Sequence, residues 1–162
     1  MKRKILIVED NVVLSQIQKD WLSRAGYDAV TAMNEPIARS LIRRMQFDLI
    51  LSDVRLPEGD GISLLEWLCK EKKDIPFIIT TEYVSVPDVV RTIKLGARDY
   101  LPKPVHREHL LELAEDVFHP VATVRKQERQ LFHRTSLMIL KVEKFARLVA
   151  SSDMSVMILG AN

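Results

Sequence analysis

Four apolar runs in this chain end on groups that could do chemistry. Lys4-Ile5-Leu6-Ile7-Val8 leads into Glu9-Asp10-Asn11, and Leu49-Ile50-Leu51-Ser52 leads into Asp53. Phe77-Ile78-Ile79 leads into Thr80-Thr81, and the shorter Asp99-Tyr100-Leu101 leads into Pro102-Lys103-Pro104. Continuous apolar runs of this length, bounded by turn residues such as Pro57, Gly59 and Gly61, suit strands buried on both faces of a parallel sheet. Parallel strands bring their C-terminal ends together, where open α/β sheets place their chemistry. Three carboxylates, Glu9, Asp10 and Asp53, would then meet a hydroxyl and the Lys103 ammonium. Carboxylates crowded in one crevice repel unless a cation or protons intervene. An all-oxygen site of this kind suits Mg²⁺, which takes one or two carboxylates and keeps several waters. Lys103 can offset the remaining negative charge as a compact point donor.

Each of these residues also has a plainer use. Asp53 could be a turn residue, Glu9 and Asp10 a capping pair for the next helix, and Lys103 a solvated surface lysine. Tyr100 could be an ordinary half-buried strand aromatic. Convergence at strand ends favours the site over these separate explanations. Side chains alternate along a strand, so only one of Thr80 and Thr81 can face it, and the residues alone leave both open.

The elements that must position these groups alternate regularly over the first 117 residues. Val12–Ala25 carries an apolar stripe at helical spacing, Val13, Ile17, Trp21 and Leu22, and Gly26 closes it. Tyr27–Ala32 reads as a second strand. Glu35–Met45 is expected to be helical, with Ile37, Ala38, Leu41, Ile42 and Met45 on one face. Ile62–Lys72 follows with Leu64, Leu65 and Leu68 inward, then Pro87–Leu95 closed by Gly96, then Glu108–Phe118. This succession predicts right-handed crossovers and a doubly wound five-stranded parallel sheet with helices on both faces. Cys69, the single cysteine, excludes an intramolecular disulfide framework and is expected to be a small core filler. No apolar run approaches a membrane span, and the basic start Lys2-Arg3-Lys4 precedes a strand too short for a signal peptide, so a cytoplasmic protein is expected, without membrane contact.

The pattern resembles the receiver domain of two-component response regulators, which has a CheY-like, flavodoxin-type fold. The matching residues are Glu9-Asp10, Asp53, Thr81, Tyr100 and Lys103-Pro104, in order and spacing, and the likeness covers roughly residues 1 to 117. The resemblance implies that Asp53 is the phosphoacceptor for a sensor histidine kinase. Glu9, Asp10, Asp53 and the backbone carbonyl of Arg55 would hold Mg²⁺. It selects Thr81 over Thr80 to bind the phosphoryl group with Lys103, while Tyr100 turns inward and switches the face made by the fourth helix, fifth strand and fifth helix. The Lys-Pro peptide in such domains is commonly cis. One position departs from the family: the residue after the switch threonine is usually small, and here it is Glu82, whose carboxylate would oppose an incoming dianion. Arg55 and Tyr83 line the approach to Asp53 by family position. The resemblance implies a switch rather than a dedicated enzyme. The alternative is a Mg²⁺-dependent phosphohydrolase with an aspartate nucleophile, but such enzymes carry a second aspartate two residues on, where this chain has Arg55. A receiver-like domain that never gains phosphate is the third option, opposed by the full acidic set.

Composition is ordinary for a globular chain of 162 residues, 47% hydrophobic and 28% charged with formal net charge +2. Its balance changes along the chain. Residues 1–117 carry seventeen Lys or Arg against nineteen Asp or Glu, and residues 118–150 carry seven against two. A nucleic-acid role for this basic stretch competes with a solvated helix face, and base-reading aromatics are scarce. Val121, Val124, Leu131 and Phe132 recur at helical spacing, which predicts a helical linker over 118–135 that pairs with a second copy to form a homodimer. Residues 136–162 resemble the opening of the AAA+ ATPase domain of NtrC-type sigma-54-dependent activators and stop before a glycine-rich phosphate loop. The expectation is a truncated transcription activator, touching DNA only through C-terminal domains absent here, with residues 151–162 poorly packed.

Overall fold

The structure, a computed structural model, describes residues 2–82 and 91–119. Tyr83, the start of the expected fourth helix and everything after His119 lie outside the described residues, including most of the expected linker and all of the ATPase-like segment. The described part belongs to a unit spanning Met1–Pro120.

Five strands, β1 (Lys4–Val8), β2 (Asp28–Ala32), β3 (Leu49–Asp53), β4 (Phe77–Thr81) and β5 (Asp99–Pro102), form one sheet in the order β2-β1-β3-β4-β5. Every pairing is parallel. The helices are α1 (Val12–Arg24), α2 (Glu35–Arg44), α3 (Gly61–Lys70), α4 (91–94 among the described residues) and α5 (Arg107–Phe118).

The unbroken apolar runs are explained by the two cores they separate. Leu6, Val8, Ile50, Phe77 and Ile79 point to the face covered by α2 and α3, where Ala38, Ile42, Leu64, Leu65 and Leu68 complete one cluster. Ile5, Ile7, Leu49, Leu51 and Ile78 point to the other face and meet Leu22 of α1 and Leu110, Leu113 and Ala114 of α5. Alternate residues of one strand thus serve opposite layers, and no position on the central strands is free to be polar until the strand ends.

Local chemistry sets the helix starts. Asn11 accepts from the backbone N–H of Val13 and Leu14, Asn34 from Ile37, and Asp60 from Ser63. Side-chain caps of this type stabilise a helix by about 1 kcal/mol each. Gly26 and Gly96 adopt positive φ after α1 and α4, the left-handed conformation that glycine reaches without a Cβ penalty.

Three expectations fail in whole or in part. Of the stripe expected on α1, Leu22 is buried and Trp21 packs against the core. Ser15 and Gln18, however, are buried in place of Val13, which is 66% exposed, and Ile17, which is exposed too. On α2, Ile37 is exposed while Ala38 and Ile42 are buried. The Asn11 cap seats the first turn beside the strand ends, and that seating turns Val12, Val13 and Ile17 to solvent. Ser15 tolerates burial because its hydroxyl donates to the Val12 carbonyl oxygen at 3.0 Å. Cys69 is exposed rather than a core filler, its thiol donating to the Leu95 carbonyl oxygen at 3.2 Å. Leu64, Leu65 and Leu68 already fill the inward face of α3, and the next residue lies about 100° around the helix.

At the N-terminal edge of the sheet, charged and aromatic groups tie down the end of α5. Asp48 accepts from the Lys4 N–H at 2.8 Å and from Arg3 at 2.9 Å, and the Arg3 guanidinium lies 5.6 Å from the centre of the Phe118 ring. Tyr27 packs its ring 5.3 Å from Phe118 and donates its hydroxyl to Glu115 at 3.1 Å. Burial, then the hydrogen bond to Glu115 and its negative charge, push the Tyr27 hydroxyl up to about 12. An unfolded tyrosine titrates near 10, so this group favours the folded state fully below that pH. The contribution is lost as pH rises through about 12. Denaturation midpoints of the parent chain and Tyr27→Phe should therefore keep a constant difference up to about pH 9. The parent should then lose ground to the variant as pH rises from about 10 towards 12, and a difference unchanged over that range would refute the Tyr27–Glu115 contact.

Candidate functional site

The cleft at the C-terminal edge of the sheet is lined by Glu9, Asp10, Asn11, Leu14, Asp53, Arg55, Thr81, Glu82 and Lys103, and encloses about 230 Å³. Its members come from different strand ends. Glu9 and Asp10 follow β1, Asp53 ends β3, Thr81 ends β4, and Lys103 follows β5. The register aligns Val8 with Ser52, Asp53 with Thr80 and Thr81 with Pro102, so strands distant in sequence deliver their last residues at one level.

Lys103 lies at the centre. Its Nζ donates to Asp53 Oδ2 at 2.6 Å and lies 2.7 Å from Glu9 Oε2. All three side chains are nearly closed to water, at 7% for Lys103, 11% for Asp53 and 3% for Glu9. Burial acts to lower the Lys103 pKa, but the hydrogen bonds and charges of Asp53 and Glu9 outweigh it and hold the ammonium above its ordinary value. Glu9 moves up from the usual carboxylate range because burial, its largest influence, exceeds the pull of Lys103. Glu9 Oε2 is paired with the Lys103 ammonium, and a carboxylate oxygen has two lone pairs, so it keeps accepting capacity beyond that contact.

Glu9, Asp10 and Asp53 each offer a carboxylate oxygen, and these lie within 4.8 Å of one another. With metal–oxygen bonds near 2.1 Å, two ligands of one Mg²⁺ sit no more than about 4.2 Å apart. Glu9, Asp10 and Asp53 would hold a hard divalent cation, directly or through water, and their all-oxygen chemistry fits such an ion.

The backbone around Asp53 is pinned. Its Oδ1 accepts from the Arg55 N–H at 3.2 Å, and the Ser52 hydroxyl donates to its carbonyl oxygen at 3.0 Å. Val54 donates to the Thr80 carbonyl oxygen at 3.1 Å and accepts from Gly61 at 2.9 Å. A Cβ at Gly61 would overlap the Asp53 carbonyl oxygen, so the first residue of α3 is glycine because the helix begins against the strand.

The sequence-predicted residues are thus mostly brought together. Thr81 lines the cleft and Thr80 does not. Glu82 is exposed at the rim. Tyr100 stands apart, part-buried against the cluster under α2 and α3. The Lys103–Pro104 peptide is cis. Sequence reasoning missed Leu14 as a wall of the cleft; its position four residues after Asp10, in the first turn of a capped helix, was the available signal.

Residues 5–115 match the family of response regulator receiver domains. The chain belongs to that family. Its receiver domain is similar in structure to a CheY-like receiver domain protein from Methanospirillum hungatei, with TM-score 0.69 and 31% identity over 73% of this chain and 95% of that one. The non-phosphorylated HemR receiver domain from Leptospira biflexa gives TM-score 0.68 and 36% identity, covering 73% of this chain and 95% of that one. Among curated relatives, the transcriptional regulatory protein GlrR of Escherichia coli is 34% identical over 158 residues, 96% of this chain and 35% of that protein. The response regulator protein PilR of Pseudomonas aeruginosa is 36% identical over 112 residues, 69% of this chain and 25% of that protein. The chain therefore spans about a third or less of the length of these two relatives. Among the described residues of the receiver, no helix is long and apolar enough to cross a membrane.

Proposed function

We propose that this receiver is a phosphorylation switch in which Asp53 takes a phosphoryl group from the phosphohistidine of a sensor histidine kinase. The observation that carries the proposal is the Lys103 ammonium held 2.6 Å from Asp53 inside an acid-lined cleft. One Asp53 oxygen attacks phosphorus in line, the phosphorus–nitrogen bond to the donor histidine breaks, and an acyl phosphate forms. In the acyl phosphate the negative charge sits on the phosphoryl group instead of the Asp53 carboxylate, and the Lys103 ammonium then pairs with a phosphoryl oxygen, joined by the Thr81 hydroxyl. Bound Mg²⁺ would be held by Glu9, Asp10, Asp53 and the Arg55 carbonyl, and would neutralise charge on the transferring group. Tyr100 would read the new state and pass it to the face made by α4, β5 and α5. Arg55, where a phosphohydrolase of similar fold carries its second aspartate, supports a switch over a turnover enzyme.

Incubation with Mg²⁺ and a small phosphodonor should add one phosphate to the intact mass, with no addition in Asp53→Asn or without the metal. Undiminished labelling of that variant would overturn the assignment. Glu82 and Tyr83 are proposed to modulate the rate. In the same assay Glu82→Ala should label faster, because like-charge repulsion near the cleft rim costs about 1–3 kcal/mol in a partly solvated site. An unchanged rate and product lifetime would show that the Glu82 carboxylate does not oppose the phosphate.

The output is proposed to be transcriptional, through further domains of a sigma-54-activator-like parent, with residues 118–135 as a dimerising linker and 136–162 as the start of its ATPase domain. The relative named transcriptional regulatory protein matches 96% of this chain, past the receiver itself, which supports that continuation. The stripe Val121, Val124 and Leu131 predicts a symmetric pair. Sedimentation should show a dimer at tens of micromolar that Val124→Asp and Leu131→Asp dissociate. A monomeric parent chain would refute this linker as the interface.

A further inference from the structure

Glu35, at the start of α2, is buried at 5% exposure yet belongs to no wall of the cleft. A buried carboxylate is costly unless its lone pairs are used, and this one is fully engaged. One oxygen pairs with Arg39 a turn further along α2, and the other accepts from the backbone N–H of Asp60 at 3.1 Å. Asp60 is twenty-five residues away in sequence, at the end of the loop that leaves Asp53.

That loop, residues 54–60, is gripped by the same helix start at two further points. The Glu35 N–H donates to the Glu58 carbonyl oxygen at 3.3 Å, and the Asn34 amide donates to the Glu58 carboxylate at 3.1 Å. Between them Gly59 holds φ +84°, and a Cβ there would overlap the Glu35 carboxylate. On the inner side of the loop, Arg55 pairs with Asp60 in an isolated antiparallel bridge, and the Arg55 N–H donates to Asp53 Oδ1. A contiguous path of bonds runs from Glu35 through Asp60 and Arg55 to Asp53. The Arg39 guanidinium, 5.2 Å from the centre of the Trp67 ring on α3, backs the Glu35 carboxylate from the far side.

We propose that Glu35 is a positioning residue for the phosphoacceptor site: by holding Asp60 it fixes the loop that carries the Arg55 backbone to the metal-facing side of Asp53. The proposal rests on reading Asp53 as a Mg²⁺-dependent phosphoacceptor. Glu35 touches neither phosphate nor metal and acts only through the loop.

The test compares Glu35→Ala with Glu35→Gln in the full chain. Glutamine retains a carbonyl oxygen that can accept the Asp60 N–H but loses the charge that pairs with Arg39. In Glu35→Ala the Asp60 amide should exchange its hydrogen about tenfold faster or more, because its acceptor is gone. Half-saturating Mg²⁺ for labelling should rise about three- to tenfold while the rate at saturating Mg²⁺ stays within about twofold. Glu35→Gln should restore both values towards those of the parent. Parent-like exchange and Mg²⁺ dependence in Glu35→Ala would overturn the proposal, as would a glutamine variant no better than alanine, since the ion pair with Arg39 would then be the whole role. Should Glu35→Ala not fold, Gly59→Ala is the second probe and must show the same pair of changes. A parent chain that takes no phosphate refutes the phosphoacceptor reading instead. Amide exchange and calorimetric Mg²⁺ affinity of the same variants then decide Glu35 separately.

Discussion

The ammonium of Lys103 is what allows the strand ends to meet. Glu9, Asp10 and Asp53 bring three acidic groups to the edge of one sheet, and Glu82 adds a fourth at the rim. Two of them, Glu9 and Asp53, are held within 2.7 Å of one buried nitrogen. Taking the lysine out of such a buried cluster costs about 3–5 kcal/mol, because the two acids would stay behind without their counter-charge. The lysine follows β5, so the cluster closes only when β1, β3, β4 and β5 are in register. The acids outnumber the ammonium, and the excess negative charge is what suits the cleft to a divalent cation.

Close approach is the second constraint. Asp53 ends a strand buried along its whole length, and α3 begins hard against its backbone, with glycine at the contact. Filling that space would push the helix off the strand, and overpacking of this kind costs about 1–3 kcal/mol. Ser52 and Arg55 bond to Asp53, and Thr80 and Gly61 bond to its neighbour Val54, so Asp53 is held from both sides of the chain. A carboxylate mounted in this way keeps its geometry when the charge in front of it changes.

Much of this was written in local sequence. Apolar runs ending in Asp, Glu, Thr and Lys disclosed both the sheet and its functional edge, because buried parallel strands admit polar residues only where they stop. Asn11, Asn34 and Asp60, not the Glu9–Asp10 pair, cap the helix starts, and their side-chain types suit that place. Local periodicity misled on the first half of α1, where Val13 and Ile17 imitate a core stripe while Ser15 and Gln18 are buried beside Leu22. Which face of a helix is covered depends on how its cap is seated against other strands, and no window of one helix contains that information. Cys69 failed for a related reason: its inward neighbours had already filled the space. Glu35 stands in the first turn of α2, where an acid favours the helix dipole and draws no attention. Its partner, the Asp60 N–H, is a backbone group in another loop, and backbone groups leave no signature in sequence.

The sheet order gives the two halves of the cleft different mechanical support. β1 and β3 are interior strands, each hydrogen-bonded on both sides, and they carry Glu9, Asp10 and Asp53. β5 is the four-residue edge strand next to β4, and Lys103 stands just beyond its end. Displacing an edge strand disturbs one ladder, and displacing an interior strand disturbs two. The acid-lined side of the cleft therefore rests on doubly paired strands, and the Lys103 side on a singly paired one. A displacement of Lys103 would load the border of the sheet and α5 behind it before it loaded the strands that carry the acids.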